Sequence, residues 1–146
     1  MIKAIQYFNL LAILIVCTFS SLFSNQLFAQ DLIDTKLKKI EILYDKFYGN
    51  DKFLFDRYNC VLHIGNQEIN LENVKIEYEK FSKEDTIYPH DVIINCPEGV
   101  RCVSYESKSY HAHSFAFKNK TDAINFLNML NEFYSIVKQS GFCNKK

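Results

Sequence analysis

The chain predicts an α+β domain: an antiparallel sheet closed by a C-terminal helix and preceded by a short N-terminal one. Two patterns carry this. Residues 69–80 and 91–118 hold runs that alternate apolar with polar side chains, the period of a half-buried strand. Residues 31–48 and 121–139 instead repeat apolar side chains at steps of three and four, the period of a helix with one buried face. The 146 residues leave room for one domain.

The first 30 residues read as a signal peptide. Lys3 supplies the positive start, Leu10 to Phe23 is almost wholly apolar, and Leu27-Phe28-Ala29-Gln30 offers a small residue for cleavage before the charged Asp31. An apolar run of 14 residues falls short of the ~20 that a spanning helix needs. Cys17 belongs to this segment, and Val16 before it is not the small residue that a lipidation signal requires. The remaining chain, 31–146, is then a single exported domain with no membrane anchor.

Its elements follow in order. In Asp31 to Tyr48, Leu37, Ile40, Tyr44 and Phe47 face one way, while Lys36, Lys38, Lys39, Glu41 and Asp45 cover the other side. Gly49-Asn50-Asp51 ends the helix. Phe53 to Ile64 is the first strand region, in which Cys60, Leu62 and Ile64 alternate with Val61 and His63. Gly65-Asn66 turns it into a hairpin. In Ile69 to Lys80, Val74, Ile76 and Tyr78 oppose Lys75, Glu77 and Glu79, and the slip in phase at Asn73 predicts a bulge or bend. Ser82 to Asp91, with Pro89, reads as a loop.

Three more strands are expected at Asp91–Cys96, Cys102–Glu106 and Tyr110–Lys118, the last placing His111 and His113 on one face with Phe115 and Phe117. The final helix runs from Thr121 to Gln139, capped by Thr121 or Asn119, with Asp122 in the first turn where the helix dipole favours an acid. Its stripe is Ala123, Leu127, Leu130, Tyr134 and Val137, widened by Ile124, Phe126 and Phe133. Gly141 stands at the C-terminal cap.

Four cysteines follow the signal peptide: Cys60, Cys96, Cys102 and Cys143. An even count in a small exported chain reads as a disulfide framework, with three connectivities open to four cysteines. The Pro97-Glu98-Gly99 loop brings Cys96 and Cys102 to the ends of adjacent strands and pairs them, which leaves Cys60 with Cys143. A zinc site is disfavoured, because a C-x5-C spacing without a second nearby pair is poor for tetrahedral ligation.

Charge excludes several classes. The whole chain holds 17 basic and 17 acidic residues, and loss of Lys3 leaves 16 and 17, a net charge of −1. Interspersed charges give no footprint for nucleic acid and no polybasic cluster for anionic lipid. His111 and His113, two apart on a strand, have a spacing that can chelate a metal, with a third ligand to come from His63, His90, Asp91 or Glu106. The plainer reading puts both histidines at the solvent end of a strand whose far end is core. No serine sits in a nucleophile elbow. Asn119-Lys120-Thr121 matches a glycosylation signal, but helix capping explains the asparagine.

The order of these features resembles a known group. A signal peptide and short helix lead to Asn59-Cys60, then to an Ile-Asn-Leu-x-x-Val strand (Ile69 to Val74) and to Ile94-x-Cys96. A second cysteine, a Phe115-x-Phe117 strand and an Ala123-x-x-Phe126-x-x-x-Leu130 helix complete the series. This resembles small exported domains of Bacteroidetes-type bacteria whose fold is similar to the pleckstrin-homology barrel. The resemblance implies a strongly bent antiparallel sheet, or small PH-like barrel, with the C-terminal helix plugging one end. It implies a scaffold rather than an activity. Many such barrels bind peptides or lipid headgroups, but the basic strand-loop of phosphoinositide binders is missing here. Five strands are clear where the full barrel has seven, and Phe53 to Tyr58 and Phe81 to Tyr88 are where others would lie.

The expectation is therefore a non-catalytic binding or interaction module of the periplasm or cell exterior, with no cofactor. Its partner would be a protein or peptide, met at the open edge of the sheet or at the exposed aromatics of Tyr105 to His113. A small metalloenzyme using His111 and His113 is the alternative, and an inhibitor or immunity-type protein the second.

Overall fold

The computed structural model describes residues 28–49, 51–80 and 87–143. The expected signal peptide lies outside these residues except for its last three, which continue the first helix (α1, residues 28–48) toward the N-terminus. Along α1 the buried positions are Ile33, Leu37, Ile40 and Tyr44, at helical spacing. Phe47 is half-buried and Tyr48 more exposed.

Among the described residues eight strands follow, in two antiparallel sheets. The first sheet has the order β1 (Phe53–Asp56), β2 (Val61–Ile64), β3 (Gln67–Asn70), β6 (Val103–Tyr105), β7 (Lys108–Tyr110). The second has β4 (Lys75–Lys80), β5 (His90–Asn95) and β8 (Ala112–Phe117), with β5 in the centre. The structure is α+β as expected, with two antiparallel sheets where a single bent one was expected, and among the described residues the strands close no barrel.

The chain changes sheets at places the alternation half-revealed. At Asn73, where the phase slips, the backbone takes φ 57° and β4 leaves for the second sheet. It returns through the Cys96–Cys102 loop. The strands flanking that loop, β5 and β6, were expected to be neighbours, yet they belong to different sheets. The first strand region, Phe53 to Ile64, is a hairpin of β1 and β2, β1 lying within the Phe53 to Tyr58 stretch named for a further strand, with Phe53 opposite Ile64 and Asp56 opposite Val61. Asp56 makes the turn. Its Oδ1 accepts from the N–H of Tyr58 (2.8 Å) and of Asn59 (3.3 Å), and its Oδ2 accepts from Asn59 Nδ2 (2.7 Å).

At the next turn Gly65 has φ 55°, and a Cβ there would lie 2.7 Å from Asp51 Oδ1. Glycine takes this left-handed corner without displacing the Asp51 side chain, and a two-residue loop opening on glycine suits the strand twist. The turn between β6 and β7 uses Glu106 (φ 45°) and Ser107 (φ 65°), both left-handed without being glycine.

The registers show which side chains share the core. In the first sheet Phe55, Leu62, Ile69 and Val103 stand in one cross-strand row, while Leu54, His63, Glu68 and Ser104 stand on the outer face. In the second, Ile76, Ile94 and His113 form one inner row and Tyr78, Val92 and Phe115 the next. The last helix, α2 (Lys120–Gln139), packs over the second sheet. Asn119 caps it by accepting from Asp122 N–H at 2.9 Å. Its buried stripe is Ala123, Phe126, Leu130, Phe133 and Val137. Phe126 and Phe133 thus hold the centre expected of Leu127 and Tyr134, which are half-buried beside them. Phe126 meets Phe115 at 4.7 Å and Phe117 at 5.2 Å between ring centroids.

Cys60 and Cys143 lie at disulfide distance, as do Cys96 and Cys102, with Cα separations of 5.0 and 5.4 Å. Both fall in the range a disulfide permits. The first ties the chain after α2 to the β1–β2 hairpin, and Phe55 packs on Phe133 (5.7 Å) and Phe142 (6.3 Å) at that junction.

Candidate functional site

Helix α1 fills the space between the edges of the two sheets. The Tyr44 ring touches Phe53 of β1 at 5.1 Å and Phe115 of β8 at 6.0 Å. Phe47 and Tyr48 pack on Phe117 at 5.5 and 6.0 Å. Burial, with the Asp51 charge and hydrogen bond behind it, pushes the Tyr44 hydroxyl up to about 12, so this contact stays neutral at any ordinary pH. An ion pair from Lys36 to Glu132 joins α1 to α2.

Along β1, α1 leaves a groove. A cavity of about 430 Å³ is lined by Asp34, Leu37, Lys38 and Glu41 of α1 and by Lys52 to Phe55. A second of about 450 Å³ continues past Phe55 to Tyr58, with Gln30 at its side. Gln30 donates to Asp34 Oδ1 at 2.8 Å, while its own Oε1 is buried with no hydrogen-bond partner among the described residues.

The backbone facing this groove follows from the ladder. Gly65 N–H donates to Lys52 C=O at 3.1 Å, so the pair Lys52–Gly65 is a hydrogen-bonded one. Alternation along an antiparallel pair then turns Leu54 and Asp56 toward β2, and Phe53 and Phe55 outward. Glu41 confirms the phase by accepting from Phe53 N–H at 3.4 Å. The N–H and C=O of Phe55 face the groove, and Leu54 lies on the outer face with 61 % of its surface exposed.

The other edges are guarded. The β4 edge carries Lys75, Glu77, Glu79 and Lys80, with a Lys75–Glu77 ion pair at 2.6 Å, and charges of this kind discourage a further strand. On β8 the Tyr48 ring packs on Phe117 at 6.0 Å and covers part of the edge. The β7 edge has three residues. β1 presents Phe-Leu-Phe instead.

The sequence-predicted site residues fall elsewhere. His111, at the bend before β8, is exposed, and both its ring nitrogens are engaged: Nδ1 with Val100 C=O at 2.7 Å and Nε2 with Arg101 Nε at 3.4 Å. His113 is half-buried in the inner row, edge-on to Phe115 at 4.4 Å, and burial lowers its pKa to about 4. It is therefore not at the solvent end of its strand, as expected. His63 faces Glu68 at 3.7 Å, and His90 meets the Tyr78 hydroxyl at 2.7 Å. Asp91 is buried and accepts from Ser114 Oγ at 2.5 Å. Among the described residues no three His, Cys, Asp or Glu side chains gather as metal ligands. Of the Tyr105-to-His113 region, Tyr110 is 43 % exposed.

No family model, curated protein or solved structure matches this chain.

Proposed function

We propose that the protein is a non-catalytic binding module, working outside the cytoplasm, that takes an extended peptide as an added strand on β1. The observation carrying this is the outward-facing backbone of Phe53 and Phe55 in front of an open groove. Strand addition draws affinity from main-chain hydrogen bonds and specificity from alternate side chains. Each such bond contributes ~1 kcal/mol net, so the exposed Leu54 has to supply apolar contact as well.

Export is supported by the apolar segment after Lys3 and by the two cysteine pairs at disulfide distance. No helix among the described residues is long and apolar enough to cross a membrane.

The test is a displayed library of random heptapeptides. Selected peptides should bind the wild type, lose at least ~10-fold affinity for Leu54→Lys, and fail when alternate peptide amides are N-methylated. Leu54 is exposed, so this variant folds. Peptides that bind Leu54→Lys and the wild type equally would refute the reading.

A further inference from the structure

The sequence along this edge is complementary to itself. Resting on the strand-addition reading above, we infer that the strand β1 accepts is β1 of a second copy of this chain, paired antiparallel about a two-fold axis at Leu54.

The register follows from the ladder. Phe53 and Phe55 point their backbone groups outward, so they must form the hydrogen-bonded pairs of any added antiparallel strand. Between two identical strands this is met when Phe53 of one copy faces Phe55 of the other, which gives four backbone hydrogen bonds. Leu54 then faces its own counterpart across the axis. The next pair outward sets Lys52 against Asp56, opposite charges placed directly across from each other, which favours pairing. The segment Lys52-Phe53-Leu54-Phe55-Asp56 is thus complementary to itself in charge about its centre, and beyond Asp56 the chain turns away at Arg57, which is held on Tyr58.

Shifting the strands by two residues in either direction breaks this match: Lys52 then meets Leu54, or Asp56 does. A shift by one sets outward backbone against inward. The charges hold at neutral pH, because hydrogen bonds from the Asn59 side chain and the Tyr58 N–H keep the Asp56 carboxyl below the usual carboxylate range. The Glu41 carboxylate stands where the second copy's Phe55 C=O would come and has to swing aside, which its 3.4 Å bond to Phe53 N–H opposes only weakly. The groove beside α1 supplies room for the incoming backbone. The two outer faces meet at Leu54, an exposed apolar side chain otherwise left in water.

A seam of four-residue strands belongs to the weak class of interfaces, below ~1,200 Å². Monomer and dimer should therefore coexist at submillimolar concentration. The experiment is cysteine cross-linking of the full chain exported to the periplasm of an expression host. Leu54→Cys sits on the axis, where facing Cα atoms of a non-hydrogen-bonded pair are ~4.5 Å apart and within disulfide reach. Lys52→Cys is also on the outer face, but its copies are four residues out of step, ~13 Å apart.

The expected result is a Leu54–Leu54 position cross-link forming at least ~10-fold faster than one at position 52, mapped by mass spectrometry, with the wild type shifting toward dimer in sedimentation equilibrium. Lys52→Glu, which sets like charges across the seam, should weaken that dimer at least ~5-fold. Equal cross-linking at both positions, or a wild type that stays monomeric, would overturn the self-pairing. If library peptides still bind through Leu54 in that case, strand addition stands and only its occupant is wrong. If they do not, both readings fail.

Discussion

Protonating His113 should destabilise the fold at mildly acidic pH, by an amount its surroundings set. The imidazole stands in the row Ile76–Ile94–His113 and edge-on to Phe115, where burial lowers its pKa from the ordinary 6.5 to about 4. Between those values the unfolded chain binds a proton that the folded chain refuses. Stability is therefore complete above about pH 6.5, falls as the pH drops toward 4, and levels off below that. At ~1.4 kcal/mol per pH unit the full effect is ~3 kcal/mol, most of it lost between about pH 7.5 and about pH 4.5. Against a typical stability of ~5–15 kcal/mol this is easily measured.

The assay is urea unfolding at both pH values for the wild type and for His113→Leu, which fills similar space and does not titrate. The wild type should lose ~2–3 kcal/mol more than the variant over this interval. Equal losses in both proteins, or a His113 ring whose NMR shifts titrate near the ordinary 6.5, would refute the reasoning.

Three further outcomes are expected. Phe126→Ala removes a fully buried ring packed on Phe115 and Phe117, and should cost ~3–5 kcal/mol by urea unfolding. Replacing Cys60 and Cys143 by serine opens a link across 83 residues and should cost ~4–5 kcal/mol, whereas the same change at Cys96 and Cys102, six apart, should cost ~2 kcal/mol. Glu106→Asn with Ser107→Gly should raise the unfolding free energy by ~1 kcal/mol, read as a higher urea midpoint, since both positions hold a left-handed backbone that the new residues adopt with less strain.

The helices were legible because each keeps one apolar stripe over several turns, although the aromatic pair Phe126 and Phe133 holds the centre of α2. β5 and β8 were legible because both alternate cleanly through Val92, Ile94, Phe115 and Phe117. The division into two sheets was not, since alternation says which face a side chain takes and nothing about which neighbour its strand chooses. β1 was legible only as a further strand somewhere in Phe53 to Tyr58, its end unmarked because its turn holds neither glycine nor proline. Asp56 and Asn59 make that turn by side-chain bonds to the backbone, a weaker signal that Asp-x-x-Asn spacing does carry. β7 was missed for a related reason: Glu106-Ser107 is an unusual pair for a turn needing two positive φ angles.

The histidines misled because spacing along a strand does not say whether its face is wet; His111 is tied to the 96–102 loop and His113 turned inward. The groove depends on where α1 sits against β1, a long-range packing choice. The self-complementary charges of Lys52 and Asp56 about Leu54, by contrast, stood in the sequence from the start, without meaning until β1 proved to be an edge.

The central claim is that the Phe55 main chain is open to a strand. Hydrogen exchange at the Phe55 amide reports on it directly, in dilute protein with and without an excess of the peptide Asp-Lys-Phe-Leu-Phe-Asp-Arg. An amide that exchanges freely alone and becomes protected at least ~10-fold with the peptide, while Leu54 on the paired side is unchanged, is the predicted result. A Phe55 amide already protected in dilute protein, or one indifferent to the peptide, would contradict it.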